Sequence, residues 1–333
     1  MTNFDPLKNS LEGRLSFAVP KKGRLNQAAL NLLEGADIQF RRENRLDIAL
    51  VKNLPIALVF LPAADIPTFV GDGSVDLGIT GWDQVQEHDA SVRALGPKIR
   101  SSGETSAAEG VDHSDEGSGC ETVMDLAFGG CKLQVQVPQK GVYNSPKDLI
   151  GKNIGTSFVH LATKYFAKLE AEAGSEQAQT DNQPSGSQGG IANTNYPLEW
   201  QRRGGLRPRQ SGETMKAAGL KPIDTVVESS AVLIKSRKPS NPELVELIAQ
   251  RIRGVIAAQK YVLCQYNIQR STLAQATKIA PGKRAPTVTT LDEEGWVAVS
   301  VMVEKKRIAP IMDELSKIGA HDILVLDIKN SRD

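Results

Sequence analysis

Three short apolar runs punctuate the first quarter of the chain: Leu15 to Val19, Ile56 to Leu61 and Val75 to Thr80. Each ends in a turn that carries Gly or Pro and opens into a helical pattern, which predicts buried strands feeding helices. Leu25 to Leu33 has helical spacing, with Gly35 just beyond it as a left-handed cap. Leu46 to Val51 reads as a further strand, set off from Ile56 by the turn Asn53-Leu54-Pro55. Asp65 is placed to cap the next helix, Pro67 suits its first turn, and Gly71 and Gly73 end it. Strands alternating with helices predict a mostly parallel sheet.

Further along, Lys132 to Val137 alternates as a strand, and Asn153 to Ser157 reads as another. A helix follows over Val159 to Ala171, with Leu161, Tyr165, Phe166 and Leu169 on one face. Ser211 to Leu220 reads as a turn and short helix, and Ala231 to Ile234 as a strand. The last third is denser in pattern. Glu243 to Tyr261 is amphipathic, then come strands at Tyr261–Tyr266, Thr287–Thr290 and Trp296–Val303, a helix over Lys306–Gly319 and a strand at Ile323–Ile328. Two stretches break this order. Ser101 to Glu121 is rich in Ser, Gly and acids, and Gly174 to Asn195 in Gln, Ser and Gly. Neither has enough large apolar groups to offset the entropy of ordering, so the first is predicted to be a disordered insertion and the second irregular.

With 333 residues the chain can bury more than one core, and 40% hydrophobic residues is ordinary for a globular protein. A formal charge of +1 gives no global field to attract nucleic acid or a membrane surface. Cys120, Cys131 and Cys264 are few, odd in number and far apart, the usage of reduced thiols in a cytoplasmic protein. The N-terminal residues lack the basic and apolar segments of a signal peptide, and no apolar run approaches the ~20 residues that span a bilayer. The four histidines show no zinc-site spacing.

The clearest candidate chemistry is the turn Lys21-Lys22-Gly23-Arg24 between a strand and a helix start. Free backbone N–H groups, the helix dipole and two or three cations converge there, which suits phosphate; the competing reading is a solvated basic turn. No Walker motif is present. In Val75 to Asp83, Gly78 and Gly81 would let a ligand approach the backbone, and Thr80 and Asp83 could bind hydroxyls or a base; alternatively this is a tight turn with Asp83 as a helix cap. Thr156-Ser157 and Ser211-Gly212-Glu213-Thr214 each precede a helix and are weaker anion candidates.

Taken in order, VPKKGRL, LDIAL, LPAADIPTFV, VDLGITGWDQV, GGCKLQVQVP, TSFVHLATKYF, SGETMKAAGL and PGKRAPT followed by GWVAV resemble the ATP phosphoribosyltransferase family, in its long form with a C-terminal regulatory domain. The resemblance implies an α/β protein with two catalytic domains like type II periplasmic binding proteins and a ferredoxin-like α+β regulatory domain. The first catalytic domain would cover 14–100 plus about 225–238, the insertion 101–122, the second catalytic domain 123–224 with 174–210 irregular, and the regulatory domain 240–333. It implies attack of ATP N1 on C1 of phosphoribosyl pyrophosphate with Mg²⁺ as cofactor, feedback inhibition by histidine, and a homo-oligomer of dimers and hexamers. By motif, Lys21, Gly23, Arg24, Arg45, Asp76, Gly78, Thr80, Gly81 and Asp83 would bind ATP or its phosphates. Thr156, Ser157, Ser211, Gly212, Glu213 and Thr214 would bind phosphoribosyl pyrophosphate, and Asn267, Thr287 and Asp322 the histidine effector. A rival from another class is a non-catalytic nucleotide- or solute-binding regulatory subunit on the same fold.

The chain departs from that pattern before Ser211. The family has a strand with acids that grip the ribose hydroxyls there, whereas residues 196 to 210 carry four arginines, two prolines and one glutamate with no apolar period. No buried strand is expected from this text. A basic nucleic-acid patch, a variant loop, and a shifted reading frame that returns at Ser211 are the three explanations, the last favoured by how sharply the pattern stops and resumes. Phosphoribosyl transfer by this chain is doubtful on that basis.

Overall fold

The computed structural model describes residues 12–42, 46–95, 118–178, 205–209 and 219–332. They form two compact units. The first holds the described parts of Met1–Ala29, Arg41–Leu50 and Pro55–Ser240; the second holds Leu30–Phe40, Val51–Leu54 and Asn241–Asp333.

In chain order the elements up to the first crossing are β1 (Leu15–Pro20), α1 (Arg24–Gly35), β2 (Ile48–Leu50), β3 (Ile56–Leu61), α2 (Ile66–Gly71), β4 (Leu77–Gly81) and α3 (Trp82–Leu95). Then come β5 (Cys120–Asp125), β6 (Cys131–Pro138), α4 (Val159–Ala178), β7 (Gly205–Arg209), β8 (Leu220–Ser229) and β9 (Ala231–Ser236). The first unit contains a six-stranded sheet in the order β2-β3-β1-β4-β9-β5 and a three-stranded sheet in the order β7-β6-β8.

The six-stranded sheet is mixed rather than mostly parallel. Only β1 with β3 and β1 with β4 run parallel. β2, β9 and β5 are each paired antiparallel, because β2 returns directly to β3 and the chain re-enters the sheet from the other lobe. Ala18, Ile66, Val70, Val75, Val85, Val232 and Ile234 form the core on one face. In the smaller sheet, Leu133, Val135 and Val137 alternate inward against Phe158, Leu161, Ala162 and Phe166 around α4.

Several local expectations are corrected. Gly35 lies inside α1, and the left-handed residue that ends the helix region is Asp37, φ 55°. Asp65 occupies the cap position of α2 but its side chain makes no capping bond. Residues 153–157 form no strand. β5 begins at Cys120, inside the stretch assigned to an insertion; residues 101–117 of that stretch lie outside the described residues. β8, ten residues long, was not anticipated. Gly205–Arg209 forms a strand after all, pairing Leu133 with Pro208 and Gln134 with Arg207. It lies at the edge of its sheet, where one ladder suffices and proline is tolerated. The rest of 179–204 and 210–218, with the turn and helix expected at Ser211, lies outside the described residues.

The second unit contains α5 (Pro242–Lys260), β10 (Tyr261–Gln269), α6 (Leu273–Ile279), β11 (Thr287–Thr290), β12 (Trp296–Glu304), α7 (Ile308–Lys317) and β13 (His321–Asp327). From β10 onward the βαββαβ order and the sheet order β11-β12-β10-β13 are those of a ferredoxin-like fold. β10 and β12 alternate strictly, so Val262, Cys264, Tyr266, Ile268, Val297, Val299, Val301 and Val303 share a core with Ala276, Ile311 and Leu315 of α6 and α7. The short helix α6 was not anticipated. Among the described residues no helix is long and apolar enough to cross a membrane.

Candidate functional site

Because β1, β3 and β4 run parallel, their carboxyl ends share one edge of the sheet, the edge where open α/β sheets place ligands. The turn after β1 is Lys21-Lys22-Gly23-Arg24, and α1 begins at Arg24. Asn26 Nδ2 donates to Pro20 O at 2.5 Å and so holds the turn closed. Gly23 has φ 88°, and nothing lies within 4 Å of where a Cβ would stand, so the space beside its Cα is open. Lys21 Nζ pairs with Asp47 at 2.8 Å, both groups about half exposed. Arg24 reaches the other way: its Nη2 meets Cys131 Sγ.

The same edge receives the two crossings between the sheets of this unit. Asp125 Oδ2 accepts from Ser230 Oγ at 2.5 Å, and its Oδ1 accepts from Ala127 N at 2.6 Å. Beside them a cavity of about 460 Å³ is lined by Trp82, Thr122, Asp125, Glu228, Ser229, Ser230 and Val232.

The residues of Val75 to Asp83 are mostly committed to internal partners. Asp76 lies at the opposite end of β4, on the order of 15 Å from the basic turn. Its carboxylate accepts from Ser16 N and Ser16 Oγ at 2.8 Å and from Ser240 N at 2.5 Å. Burial pushes this carboxyl up, but the bonds from Ser240 and Ser16 outweigh it and hold it below the usual value. Gly78 faces Ile66, Val70 and Ile234, which leave no space for a side chain. Thr80 is fully buried and donates to Ala63 O at 2.7 Å. Asp83, 2% exposed, is bound to Ser229, and Gly81 packs against its carboxylate. Asp76, Gly78 and Thr80 thus make the contacts described here within the sheet that presents the edge. Arg45, Ser211, Gly212, Glu213 and Thr214 lie outside the described residues.

Thr156 and Ser157 flank the start of α4, and Thr156 Oγ1 accepts from Phe158 N at 2.9 Å. An anion already occupies that helix end. Glu87 of α3 accepts from His160 N at 2.8 Å and from Leu161 N at 2.9 Å. No local motif marks Glu87; the contact spans 73 residues of chain.

The family-model description "ATP phosphoribosyltransferase" matches residues 62–179 and 208–254, and "HisG, C-terminal domain" matches 258–330. A protein of Yarrowia lipolytica named ATP phosphoribosyltransferase is 53% identical over 331 residues, 98% of this chain and 99% of that protein. The chain belongs to the ATP phosphoribosyltransferase family. Proteins of the same name from Candida albicans and Schizosaccharomyces pombe are 50% and 52% identical, each over 98% of this chain and 99% of their own length. The two domain models match the division between an ATP phosphoribosyltransferase catalytic region and its C-terminal domain, in line with the long form. The catalytic model leaves residues 180–207 unmatched, which brackets most of the stretch where the sequence departs from the family pattern.

In the second unit, Asn267 Nδ2 donates to Asp322 Oδ2 at 3.0 Å, and Asp322 has φ 52°. Thr287 is exposed on β11, which β12 separates from β10. Two of the three expected effector residues therefore meet, and Thr287 stands at the far edge of the sheet.

Proposed function

We infer that this chain transfers the phosphoribosyl group of phosphoribosyl pyrophosphate to N1 of the ATP adenine, releasing pyrophosphate, the first step of histidine biosynthesis. Membership of the family supports the reaction. The observation that carries the nucleotide half is the open, basic turn at the carboxyl edge of the six-stranded sheet. There Arg24, Lys21 and the backbone at Gly23 would hold ATP phosphates at the start of α1, where the helix dipole favours negative charge.

Ser211, Gly212, Glu213 and Thr214 would take the 5-phosphate of phosphoribosyl pyrophosphate. Residues 196–210 supply one carboxylate, Glu199, for its ribose hydroxyls. Phosphoribosyl pyrophosphate is therefore expected to bind weakly.

Among the described residues no group of three or more His, Cys, Asp or Glu is arranged to hold a metal. Asp83 and Asp125 at the edge are already bound by Ser229 and Ser230. These residues do not fit a resident metal. Mg²⁺ would arrive on the substrate pyrophosphate, as it does where phosphates supply most of its ligands.

Histidine would bind at the Asn267–Asp322 corner, its ammonium meeting the Asp322 carboxylate, and act by favouring one of two oligomer states. A homo-oligomer, dimer and hexamer, is supported by the edge strand β13, where Leu324, Val325 and Leu326 are 55%, 39% and 49% exposed in succession. The chain would work in the cytoplasm.

The test is to incubate the full chain with ATP, Mg²⁺ and phosphoribosyl pyrophosphate and to identify the product by mass. Phosphoribosyl-ATP together with pyrophosphate, formed only when both substrates are present, is the expected result; hydrolysis of either substrate alone, or no product at saturating levels, would overturn the reading.

A further inference from the structure

We propose that Cys131 is a positioning residue for Arg24, holding the guanidinium of the nucleotide turn from the second sheet; this rests on the phosphate reading of that turn. Arg24 is the first residue of α1, and a long side chain at a helix start samples many rotamers unless something fixes it. The guanidinium of Arg24 lies against the Sγ of Cys131, with Nη2 directed at the sulfur. Cys131 is the first residue of β6, is 7% exposed, and is held in the ladder opposite Ser229.

A second contact locks the same pair of segments. Gly129, at φ 69°, packs against Leu25 Cδ2, which would have to shift to admit a side chain there. Two neighbouring residues of the turn, Arg24 and Leu25, thus meet Cys131 and Gly129 of the crossing that leads into β6. Such a pair of contacts fixes both where the turn sits and where its guanidinium points.

The chemistry of the partner matters. A thiol is a weak acceptor and carries no charge when protonated. It can orient a guanidinium without cancelling the positive charge that a phosphate needs. It also takes one of five N–H donors and leaves the others for an anion. Lys21 is different, since Asp47 already compensates its charge. Among the described residues Arg24 has no carboxylate partner of this kind.

The experiment measures ATP affinity by calorimetry, with KM for both substrates, in the full chain and in Cys131→Ala, Cys131→Ser, Arg24→Ala and the Arg24→Ala/Cys131→Ala pair. Cys131→Ala is expected to weaken ATP by roughly three- to tenfold, a partial loss relative to Arg24→Ala because the guanidinium remains but is no longer oriented, and to leave KM for phosphoribosyl pyrophosphate unchanged. Cys131→Ser restores an acceptor and should recover most of the loss. The double variant should bind ATP no more weakly than Arg24→Ala alone, because the two residues act as one unit. If Arg24→Ala weakens ATP but Cys131→Ala does not, or if the losses add, the proposal is overturned while the phosphate reading stands. If Arg24→Ala itself has no effect, the phosphate reading fails and takes the proposal with it. Should Cys131→Ala not fold, Cys131→Val, similar in size but without an acceptor, is compared with Cys131→Ser on the same criteria.

Discussion

The hydroxyl of Ser229 donates to Asp83 Oδ1 at 2.8 Å and accepts from Asp83 N at 2.9 Å. This reciprocal pair, 146 residues apart in the chain, ties the first turn of α3 to the crossing between β8 and β9. Ser229→Ala would leave a buried carboxylate oxygen without that donor, and Oδ2 keeps only a 3.3 Å bond from Gln84 Nε2. The variant should lose roughly 1–3 kcal/mol of stability in urea denaturation. An unchanged midpoint would show that the pair is not a structural tie.

Asp76 joins three segments by accepting from Ser16 and Ser240. Its folded-state pKa lies below the ordinary 3.8 because those bonds outweigh burial. A depressed carboxylate adds stability that is fully present above its unfolded value and is lost as pH falls through the folded one. Asp76→Asn should therefore be less stable than the parent at neutral pH, and the gap should close as the pH falls below about 4. Denaturation midpoints across that range check this; a gap that stays constant on acidification contradicts it.

Tyr266 is 1% exposed, and among the described residues its hydroxyl has no hydrogen-bond partner. Burial, with Cys264 beside it, pushes its pKa up to about 12. A buried polar group without a partner costs free energy, so Tyr266→Phe should be neutral or stabilising by up to ~1 kcal/mol. A clear fall in melting temperature would mean that the hydroxyl does find a partner in solution.

If histidine binds at the Asn267–Asp322 corner, millimolar histidine should raise the melting temperature of the full chain through mass action. Asp322→Ala should abolish that shift and leave the nucleotide-induced shift intact. Equal histidine responses in the parent and the variant would remove the effector from this corner.

Much of the fold was legible because burial on one or both faces writes a period into the chain. β1 and β3 read as apolar runs, and α5 reads as a stripe that buries Leu244, Ile248, Ile252 and Val255. β7 was not legible, since an edge strand needs backbone pairing but no apolar face. β8 carries Pro222 and pairs with β6 through two register shifts, which interrupt the alternation that marks a strand. The basic turn at Lys21 to Arg24 was legible because its chemistry is local. The roles of Asp76, Glu87 and Cys131 were not, because each depends on partners 60 or more residues away. A carboxylate beside glycines does not reveal which end of a strand it occupies; parallel pairing of β1 with β4 does.

The most direct test of the account is ATP affinity in Arg24→Ala, measured by calorimetry with KM for both substrates. Loss of a charge-assisted contact at the turn should weaken ATP by roughly 1–3 kcal/mol while KM for phosphoribosyl pyrophosphate stays within about twofold. Unchanged ATP affinity in a folded variant would contradict the assignment of the nucleotide to this edge of the sheet.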